Sequence, residues 1–283
     1  MRMLNVLSLF SGIGAFEKAL ENLGIPYNLV AYCEIDKYAS KAYSIIHDVP
    51  EEKNLKDVTK VDWLDIDETV DLITYGFPCQ DISNAGKQKG FTDENGERTR
   101  SGLFFEALRI IEEFKPKFAI AENVKALTSK KFSEEFRIVL ESLEEAGYVN
   151  YWAVLNAKDY GIPQNRERVF IISIRQDIDK GFEFPSPFPL ELRLKDMLED
   201  EVDEKYYLSE KATDKLVIGD SPLKIKEATS KGYAEAYPGD SVNLEQPTSK
   251  TRRGRVGKGV AQTLTTSCNQ AVVEDDIEAF LNE

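Results

Sequence analysis

Apolar stretches of strand length alternate with segments of helical period over the first 175 residues, and this alternation is the feature that most restricts the fold. Strands are predicted at 3–10, 27–34, 71–76, 117–123, 149–157 and 168–175, with a further short strand ending near Asp57. Helices are predicted at 15–24, 36–48, 103–114 and 130–147, the second with Asp36 as its N-cap. Strands that alternate with helices favour an α/β fold with a doubly wound, mainly parallel sheet.

The pattern changes after Arg175. The segment 182–190, FEFPSPFPL, is rich in proline, and hydrophobic periodicity is weak from there to about Gly259. Such a shift marks the boundary to a small, irregular second domain. We therefore divide the chain into a main domain at 1–178, a second domain at 179–262 and a return segment at 263–283. Within the main domain, the polar segment 84–100 is predicted to be a long mobile loop.

Composition narrows the class of protein. The chain has 283 residues, 42% of them hydrophobic, which suffices for one large domain and a smaller one. No segment resembles a signal peptide and no apolar run approaches the ~18 residues that cross a bilayer, so we expect a cytoplasmic protein without membrane contact. The cysteines Cys33, Cys79 and Cys268 are far apart, and His47 is the single histidine. This usage argues against a disulfide framework and against a metal site.

The net charge of −14 speaks against indiscriminate nucleic-acid binding, but one stretch departs from this average. The segment 246–273 has no acidic residue, and its basic residues are Lys250, Arg252, Arg253, Arg255 and Lys258. A basic stripe on an acidic body is compatible with a local contact to a polyanion. A solvated basic loop would have the same composition, so charge alone leaves both interpretations open.

The loop FSGIG follows the first predicted strand and places Gly12 and Gly14 before the first helix. Glycines there let a backbone approach a ligand, although Glu17 replaces the third glycine of the dinucleotide fingerprint. Glu34 ends the second strand, where a carboxylate can bind both hydroxyls of a ribose. These residues favour an adenosine-type ligand over the alternative of a tight turn followed by a surface acid.

Other predicted strands also end in polar side chains. In GFPCQDIS, Cys79 follows a proline that ends the strand at 71–76, and Glu122 ends the apolar strand FAIAE. A carboxyl group at such a position can hold or donate a proton, although Glu122 and Asn123 could instead cap the following turn. The ends at Phe10, Glu34, Cys79 and Glu122 should open onto one edge of a parallel sheet.

The segment PQNRERVF adds two arginines to this set. Gln164, Arg166 and Arg168 alternate with other residues, so they share one face of an extended segment. Arginine forks there could hold a carbonyl or a phosphate. The alternative is an exposed hairpin edge with mixed charges.

Taken in order, these motifs resemble those of the DNA (cytosine-5)-methyltransferases of bacteria and phages. The family's FxGxG motif, acidic ribose binder, PCQ, ENV and QxRxR all occur between about residues 3 and 175. The matching residues are Phe10, Gly12, Gly14, Glu34, Pro78, Cys79, Gln80, Glu122, Asn123, Val124, Gln164, Arg166 and Arg168. The resemblance implies a Rossmann-like S-adenosylmethionine-dependent methyltransferase fold.

The resemblance also implies a mechanism. Cys79, as a thiolate, would add to carbon 6 of a cytosine and make carbon 5 nucleophilic. Glu122 would hold or protonate ring N3, and Arg168, with Arg166 nearby, would bind the O2 side of the base. The methyl group would come from S-adenosylmethionine, no metal would be needed, and the cytosine would leave the double helix.

The same resemblance assigns binding residues. S-adenosylmethionine would be bound by Phe10, Gly12, Gly14, Glu34, Ile35, Asp57, Pro78 and Leu103. Double-stranded DNA would be bound by Gln80, Ser83, Lys87, Lys89, Arg98, Gln164, Arg252, Arg253 and Arg255. In this family the loop after PCQ, here at about 81–100, closes over the DNA.

One part of the family pattern is missing. Members normally continue past the equivalent of QTLTTSCNQAVVE with a helical RLTPREC-type segment and a GNSV-like motif, and this sequence has neither. We therefore expect S-adenosylmethionine to bind more weakly than in a complete enzyme, and a complementing C-terminal chain is a potential partner. An inactive DNA-binding relative and an RNA cytosine methyltransferase are the alternatives.

Three residues receive a plainer interpretation. Cys33 is predicted to be a small core residue because apolar residues precede it in a strand. Cys268 has no recognised partner. His47, near a helix end, is predicted to be a surface or capping residue.

Overall fold

The computed structural model of the chain describes residues 3–61, 66–78, 100–215, 217–220, 222–265 and 269–274. The chain forms two compact units. The first unit comprises Met1–Leu155 and Arg168–Phe184, and the second comprises Asn156–Glu167 and Pro185–Glu283. The functional division at residues 178 and 262 stays a prediction.

The first unit is built on one six-stranded sheet. Its strands are β1 (Leu4–Leu9), β2 (Tyr27–Cys33), β3 (Leu72–Tyr75), β4 (Phe118–Val124), β5 (Tyr148–Asn156) and, after the short β6 (Gln164–Asn165), β7 (Glu167–Arg175). The order is β2-β1-β3-β4-β7-β5, with β1 parallel to β2 and β3, β3 parallel to β4, and β7 antiparallel to β4. The strand order therefore reverses at β1, which confirms the predicted doubly wound, mainly parallel α/β fold.

The core of the first unit follows from the apolar runs. All four residues of β3 and the last four of β1 are buried, as expected for central strands covered on both faces. The helices are α1 (Ala15–Asn22), α2 (Lys37–His47), α3 (Phe104–Phe114) and α4 (Ser133–Glu145). The side chains of Ile110 in α3 and Val139 in α4 are fully buried in the same cluster as Ile73 of β3. Asp36 caps α2 as predicted, since its side chain accepts from the N–H groups of Tyr38 and Ala39.

In the residues that the structure describes, the second unit contains short strands and one short α-helix, α5 (Glu210–Thr213). Its later strands are β8 (Val217–Asp220), β9 (Leu223–Lys226), β10 (Tyr233–Ala236), β11 (Ser241–Asn243), β12 (Val256–Gly257), β13 (Ala261–Gln262) and β14 (Gln270–Val272). They form sheets in the orders β10-β9-β8 and β12-β11-β14, and β13 pairs with β6. Strands this short bury little apolar surface, and the core cluster of the unit has four buried members: Ile225, Ala236, Val242 and Val273. Within the described ranges of both units, no helix is long and apolar enough to cross a membrane.

Candidate active site

Three strands of the first unit end side by side, next to the last residues of a fourth. Leu9 pairs with Cys33 on one side and with Tyr75 on the other, and Tyr75 pairs with Ala121. The residues that come next in the chain are Phe10, Glu34, Gly76 and Glu122. Because parallel strands in register bring their carboxyl ends to one edge of a sheet, Phe10, Glu34 and Gly76 leave the sheet at a common edge. Glu122 lies at the same edge within β4, which continues to Val124.

The loop after β1 contains three residues in the left-handed region. Phe10, Gly12 and Gly14 have φ angles of 54°, 56° and 83°. A phenylalanine in this conformation is strained, and such strain is concentrated at functional sites. A Cβ added to Gly12 would meet no atom within 4 Å. The space beside this residue is therefore open to a ligand.

Glu34 is the half-buried acid that follows β2. Its Oε2 accepts a hydrogen bond from the N–H of Gly12 at 2.9 Å, and its Oε1 accepts one from the N–H of Asp36 at 2.7 Å. Two backbone donors thus fix the orientation of the carboxylate, and each oxygen keeps a further lone pair. A carboxylate held in this way can accept hydrogen bonds from the two hydroxyl groups of a ribose.

Asn54 supports Glu34, and the sequence reasoning missed it. Its side chain is buried; Oδ1 accepts from the N–H of Glu34 at 3.0 Å and Nδ2 donates to the Glu34 carbonyl at 2.9 Å. The predicted short strand ending near Asp57 is wrong, since the segment forms a single bridge, Tyr32 to Asn54, between short 3₁₀ turns. Because the side chain of Asn54 bonds to the backbone N–H and carbonyl of Glu34, it ends strand pairing there and fixes the position of the acid.

The remaining residues predicted to bind the cofactor lie in different environments. Ile35 is 76% exposed beside Glu34 in the chain, whereas Pro78 and Leu103 are half-buried.

Hydrogen bonds from the hydroxyl and the N–H of Thr59 hold the pKa of Asp57 below its ordinary value. Asp57 is therefore an acceptor at neutral pH, as a contact to an exocyclic amino group requires.

Glu122 and Arg168 form an ion pair across adjacent antiparallel strands. In the register of β4 and β7, Val124 lies opposite Arg168 and Glu122 lies opposite Phe170. The Nε of Arg168 lies 2.8 Å from Oε1 of Glu122, and the two side chains are 15% and 26% exposed. A carboxyl group and a guanidinium joined at an accessible strand end can together bind a ring nitrogen and a neighbouring carbonyl oxygen.

The segment that leads to Cys79 is attached to the same strand end. A Cβ added to Gly76 would lie 3.8 Å from Oε2 of Glu122, so the carboxylate lies beside this glycine. The buried Asn123 donates from Nδ2 to the carbonyl of Phe77 at 3.2 Å. The ring of Phe77 packs on Phe104 with their centroids 5.5 Å apart. These contacts fix the backbone up to Pro78 against β4 and α3.

Gln164 and Arg166, which were predicted to share a face with Arg168, belong to the second unit. Gln164 lies in β6 and pairs with Ala261 of β13. The N–H of Arg166 donates to Oδ1 of Asn156 at 3.0 Å. These contacts fix the backbone of both residues, and the shared face with Arg168 stays a prediction.

Arg255 lies inside the second unit. It is 1% exposed, its Nη1 donates to the carbonyls of Asn243 and Glu245, and its Nη2 donates to the carbonyl of Gln246. Burial lowers the pKa of its guanidinium. A side chain enclosed by three carbonyl groups cannot reach a DNA phosphate, so this burial contradicts the predicted phosphate contact of Arg255.

Two neighbours of Arg255 are more accessible. Arg252 is 30% exposed and its Nη2 lies 3.0 Å from Oε2 of Glu245. Arg253 is exposed, and its Nε donates to the carbonyl of Ala228 at 3.0 Å. Their phosphate contacts stay predictions.

Several predicted residues fall outside the described ranges. They are Cys79, Gln80, Ser83, Lys87, Lys89 and Arg98, together with Cys268 and all but the last residue of the predicted loop at 84–100. Their predicted roles therefore stay predictions.

Cys33 is a core residue, as predicted. It is 1% exposed, and burial raises the pKa of its thiol to about 12, which keeps it protonated and unreactive. In the part of the chain that the structure describes, no three His, Cys, Asp or Glu side chains are grouped as a metal ion would require.

The doubly wound sheet, with a glycine loop after its first strand and an acid after its second, defines the fold of S-adenosylmethionine-dependent methyltransferases. The solved structure of the Entamoeba histolytica methyltransferase EhMeth has this fold. It aligns with a TM-score of 0.62 and 19% identity over 96% of this chain and 83% of that one.

The chain belongs to the C-5 cytosine-specific DNA methylase family, which it matches over residues 4–276. The orphan methyltransferase M.SPRI of Bacillus phage SPR is 39% identical over 298 aligned positions, which cover 94% of this chain and 65% of that protein. The orphan methyltransferase M.Rho11sI of Bacillus phage rho11s is 37% identical over 298 positions, which cover 94% of this chain and 58% of that protein. The chain thus spans less than two thirds of the length of these relatives, and the resemblance inferred from its motifs is confirmed.

Proposed function

We propose that this protein transfers a methyl group to carbon 5 of cytosine in DNA. The observation that carries the proposal is the Glu122–Arg168 ion pair, 2.8 Å long, at the strand end beside Gly76. Three residues beyond that glycine comes Cys79. A nucleophile, a carboxyl group and a guanidinium are the three functions that addition to a cytosine ring requires.

The residues around the first loop fit S-adenosylmethionine. Glu34 presents an oriented carboxylate for the ribose, the open space beside Gly12 leaves room for the ligand, and the exposed Ile35 offers an apolar surface for the adenine. Asp57 is an acceptor for the exocyclic amino group. When bound, S-adenosylmethionine supplies an electrophilic sulfonium methyl group.

The protein's own groups prepare the cytosine. The thiolate of Cys79 adds to carbon 6, and the electron pair of the carbon 5–carbon 6 double bond moves to carbon 5, which becomes nucleophilic. Glu122 holds or protonates ring N3 as charge develops on the base, and Arg168 holds the carboxyl group in place and donates to O2. After carbon 5 has been methylated, it loses its proton, the bond to Cys79 breaks, and the aromatic ring is restored.

The DNA must present a single base to this edge of the sheet. Carbon 6 of a stacked cytosine is inaccessible to a thiolate, so we infer that the target base is flipped out of the double helix. The residues proposed to contact DNA are Gln80, Ser83, Lys87, Lys89, Arg98, Gln164, Arg252 and Arg253. Sequence-independent phosphate contacts by such residues position the duplex.

The test is methyl transfer from S-adenosylmethionine labelled in its methyl group. Unmethylated bacterial DNA, the same DNA with every cytosine replaced by 5-methylcytosine, and transfer RNA serve as parallel substrates. We expect label in the unmethylated DNA only. Label in transfer RNA alone would make the chain an RNA methyltransferase, and cofactor binding without transfer to either would make it an inactive relative.

A further inference from the structure

The glycine loop covers the ring of His47, which is therefore not at the surface. Its side chain is 1% exposed, so the prediction of a surface residue is wrong. The ring lies 4.7 Å from that of Tyr43, measured between centroids. The Glu122 site does not use this residue, and nothing in the methyl-transfer chemistry assigns it a role.

Both ring nitrogens of His47 face oxygen atoms. Nε2 lies 3.1 Å from the carbonyl oxygen of Ile13, which is in the glycine loop, and Nδ1 lies 2.9 Å from Oε1 of Glu21 in α1. A carbonyl only accepts hydrogen bonds, and so does an ionised carboxylate. The hydrogen bond from His47 is the main reason that the pKa of Glu21 falls to about 2, so Glu21 is ionised at neutral pH. Each ring nitrogen therefore faces an acceptor, one in the glycine loop and one in α1.

The loop and the ring also fit each other sterically. Gly14 has a φ of 83°, and a Cβ at this position would collide with Nε2 of His47 and lie 2.8 Å from Cε2 of Tyr43. Ile13 lies between Gly14 and Gly12, and the N–H of Gly12 holds the carboxylate of Glu34. A hydrogen bond at the Ile13 carbonyl thus acts on the loop that orients the proposed ribose-binding acid.

We propose that His47 is a positioning residue for cofactor binding: its ring ties the glycine loop to α1 and so fixes the Gly12–Glu34 contact. The inference rests on the proposed function, because the ligand of this loop is taken to be S-adenosylmethionine. His47 itself touches no reacting atom in this account. Its effect is on affinity for the cofactor and not on the rate of the bound complex.

Two substitutions test the contacts of the two ring nitrogens separately. The amide nitrogen of glutamine lies where Nε2 lies, so His47→Gln keeps the donor to Ile13 and loses the donor to Glu21. His47→Asn places its amide near Nδ1 and does the reverse. Ser44→Ala is the control, since it removes a hydrogen bond of 2.6 Å to the carbonyl of Val49 at the same helix end without contacting the loop.

Calorimetry with S-adenosylhomocysteine measures the affinity of all three variants. We expect His47→Asn to weaken binding ~10-fold, His47→Gln ~3-fold or less and Ser44→Ala less than ~2-fold, as the loss of one hydrogen bond predicts.

Hydrogen exchange at the amides of Gly12 and Gly14, without any ligand, tests the loop independently. Exchange should be ~10-fold faster in His47→Asn than in His47→Gln. Equal affinity and equal exchange in the two variants would overturn the inference and leave His47 a packing residue. If the wild-type protein does not bind S-adenosylhomocysteine, the proposed function is wrong. The exchange rates then still decide whether His47 holds the loop.

Discussion

The two units use charged side chains for different purposes. In the first unit, Glu122 and Arg168 stand at a strand end, partly exposed, on a scaffold held together by apolar residues. In the second unit, Arg255 is enclosed by three carbonyl groups and fully buried. A unit with a large apolar core can leave charges at an open edge for chemistry. A unit with short strands needs polar groups to hold its turns.

The contrast follows from strand length. The central strands β1 and β3 bury consecutive residues on both faces and pack under α3 and α4. The strands β11, β12 and β14 have only two or three residues each. Hydrogen bonds between Arg255 and the turn after β11 therefore replace apolar burial as the local constraint.

The largest expected effect is on catalysis. Glu122→Gln keeps the shape of the side chain but removes its proton-donating group, so the rate of methyl transfer should fall ~100-fold or more. Stability should change by less than about 1 kcal/mol, because the ion pair is partly exposed. Initial rates with labelled cofactor and a thermal unfolding curve measure both quantities.

Glu113→Gln, an exposed change on α3, is the control for Glu122→Gln and should alter neither quantity. If Glu122→Gln lowered the free energy of unfolding by as much as it raised the activation free energy of methyl transfer, the ion pair of the first unit would be structural, as Arg255 is in the second unit. The two units would then not differ in how they use charged side chains.

The next effect is on the stability of the second unit. Arg255→Met leaves three buried carbonyl groups without their donor and should destabilise this unit by about 3 kcal/mol. Hydrogen exchange of the β11 and β12 amides reports the loss. Arg253→Met, at the exposed neighbour, should cost less than about 0.5 kcal/mol. If the two variants were equally stable, Arg255 would not hold the turn.

A matched pair of core substitutions compares the apolar contributions directly. Val139 in α4 is fully buried in the large core cluster, whereas Val242 in β11 is 5% exposed in the small one. Val139→Ala should cost about 2.5 kcal/mol and Val242→Ala about 1 kcal/mol, because a small cluster collapses more easily around a cavity. Denaturant unfolding, with exchange measured in each unit, checks the difference. Equal costs would mean that the second unit also relies on its apolar core.

The smallest expected effect is the contribution of the Glu21 carboxylate to the stability of the first unit. His47 and Lys18 lower the pKa of Glu21 to about 2 from its ordinary 4.5. A carboxylate whose pKa is lower in the folded state stabilises the fold above pH 4.5 and loses this contribution as the pH falls toward 2. The difference in melting temperature between the wild type and Glu21→Gln should therefore shrink across that window. A difference that stays constant down to pH 2 would contradict the assignment.

Much of the first unit could be predicted because its signals are local. Apolar runs gave the positions of the strands, and Asp36 identified the start of α2. The strand ends at Phe10, Glu34 and Glu122 could be placed at one edge because parallel strands share a direction.

The errors come from residues whose role depends on distant contacts. Asn54 lies 20 positions after Glu34 in the chain, and only the folded chain shows that its side chain replaces a strand partner. His47 does end α2, but the prediction of a surface residue is wrong because the loop before α1 covers its ring. Arg255 belongs to a basic run, and composition reports the charge of such a run without showing which member is enclosed.

The central claim is that Cys79 attacks the cytosine while Glu122 and Arg168 hold it. DNA in which 5-fluorocytosine replaces cytosine tests this most directly, because fluorine cannot leave carbon 5 as a proton does and the reaction stops with the protein attached. With S-adenosylmethionine present, we expect an adduct that survives denaturation, is absent in Cys79→Ala and forms much more slowly in Glu122→Gln. Methyl transfer to ordinary DNA without any trapped adduct, or an adduct that persists in Cys79→Ala, would contradict the account.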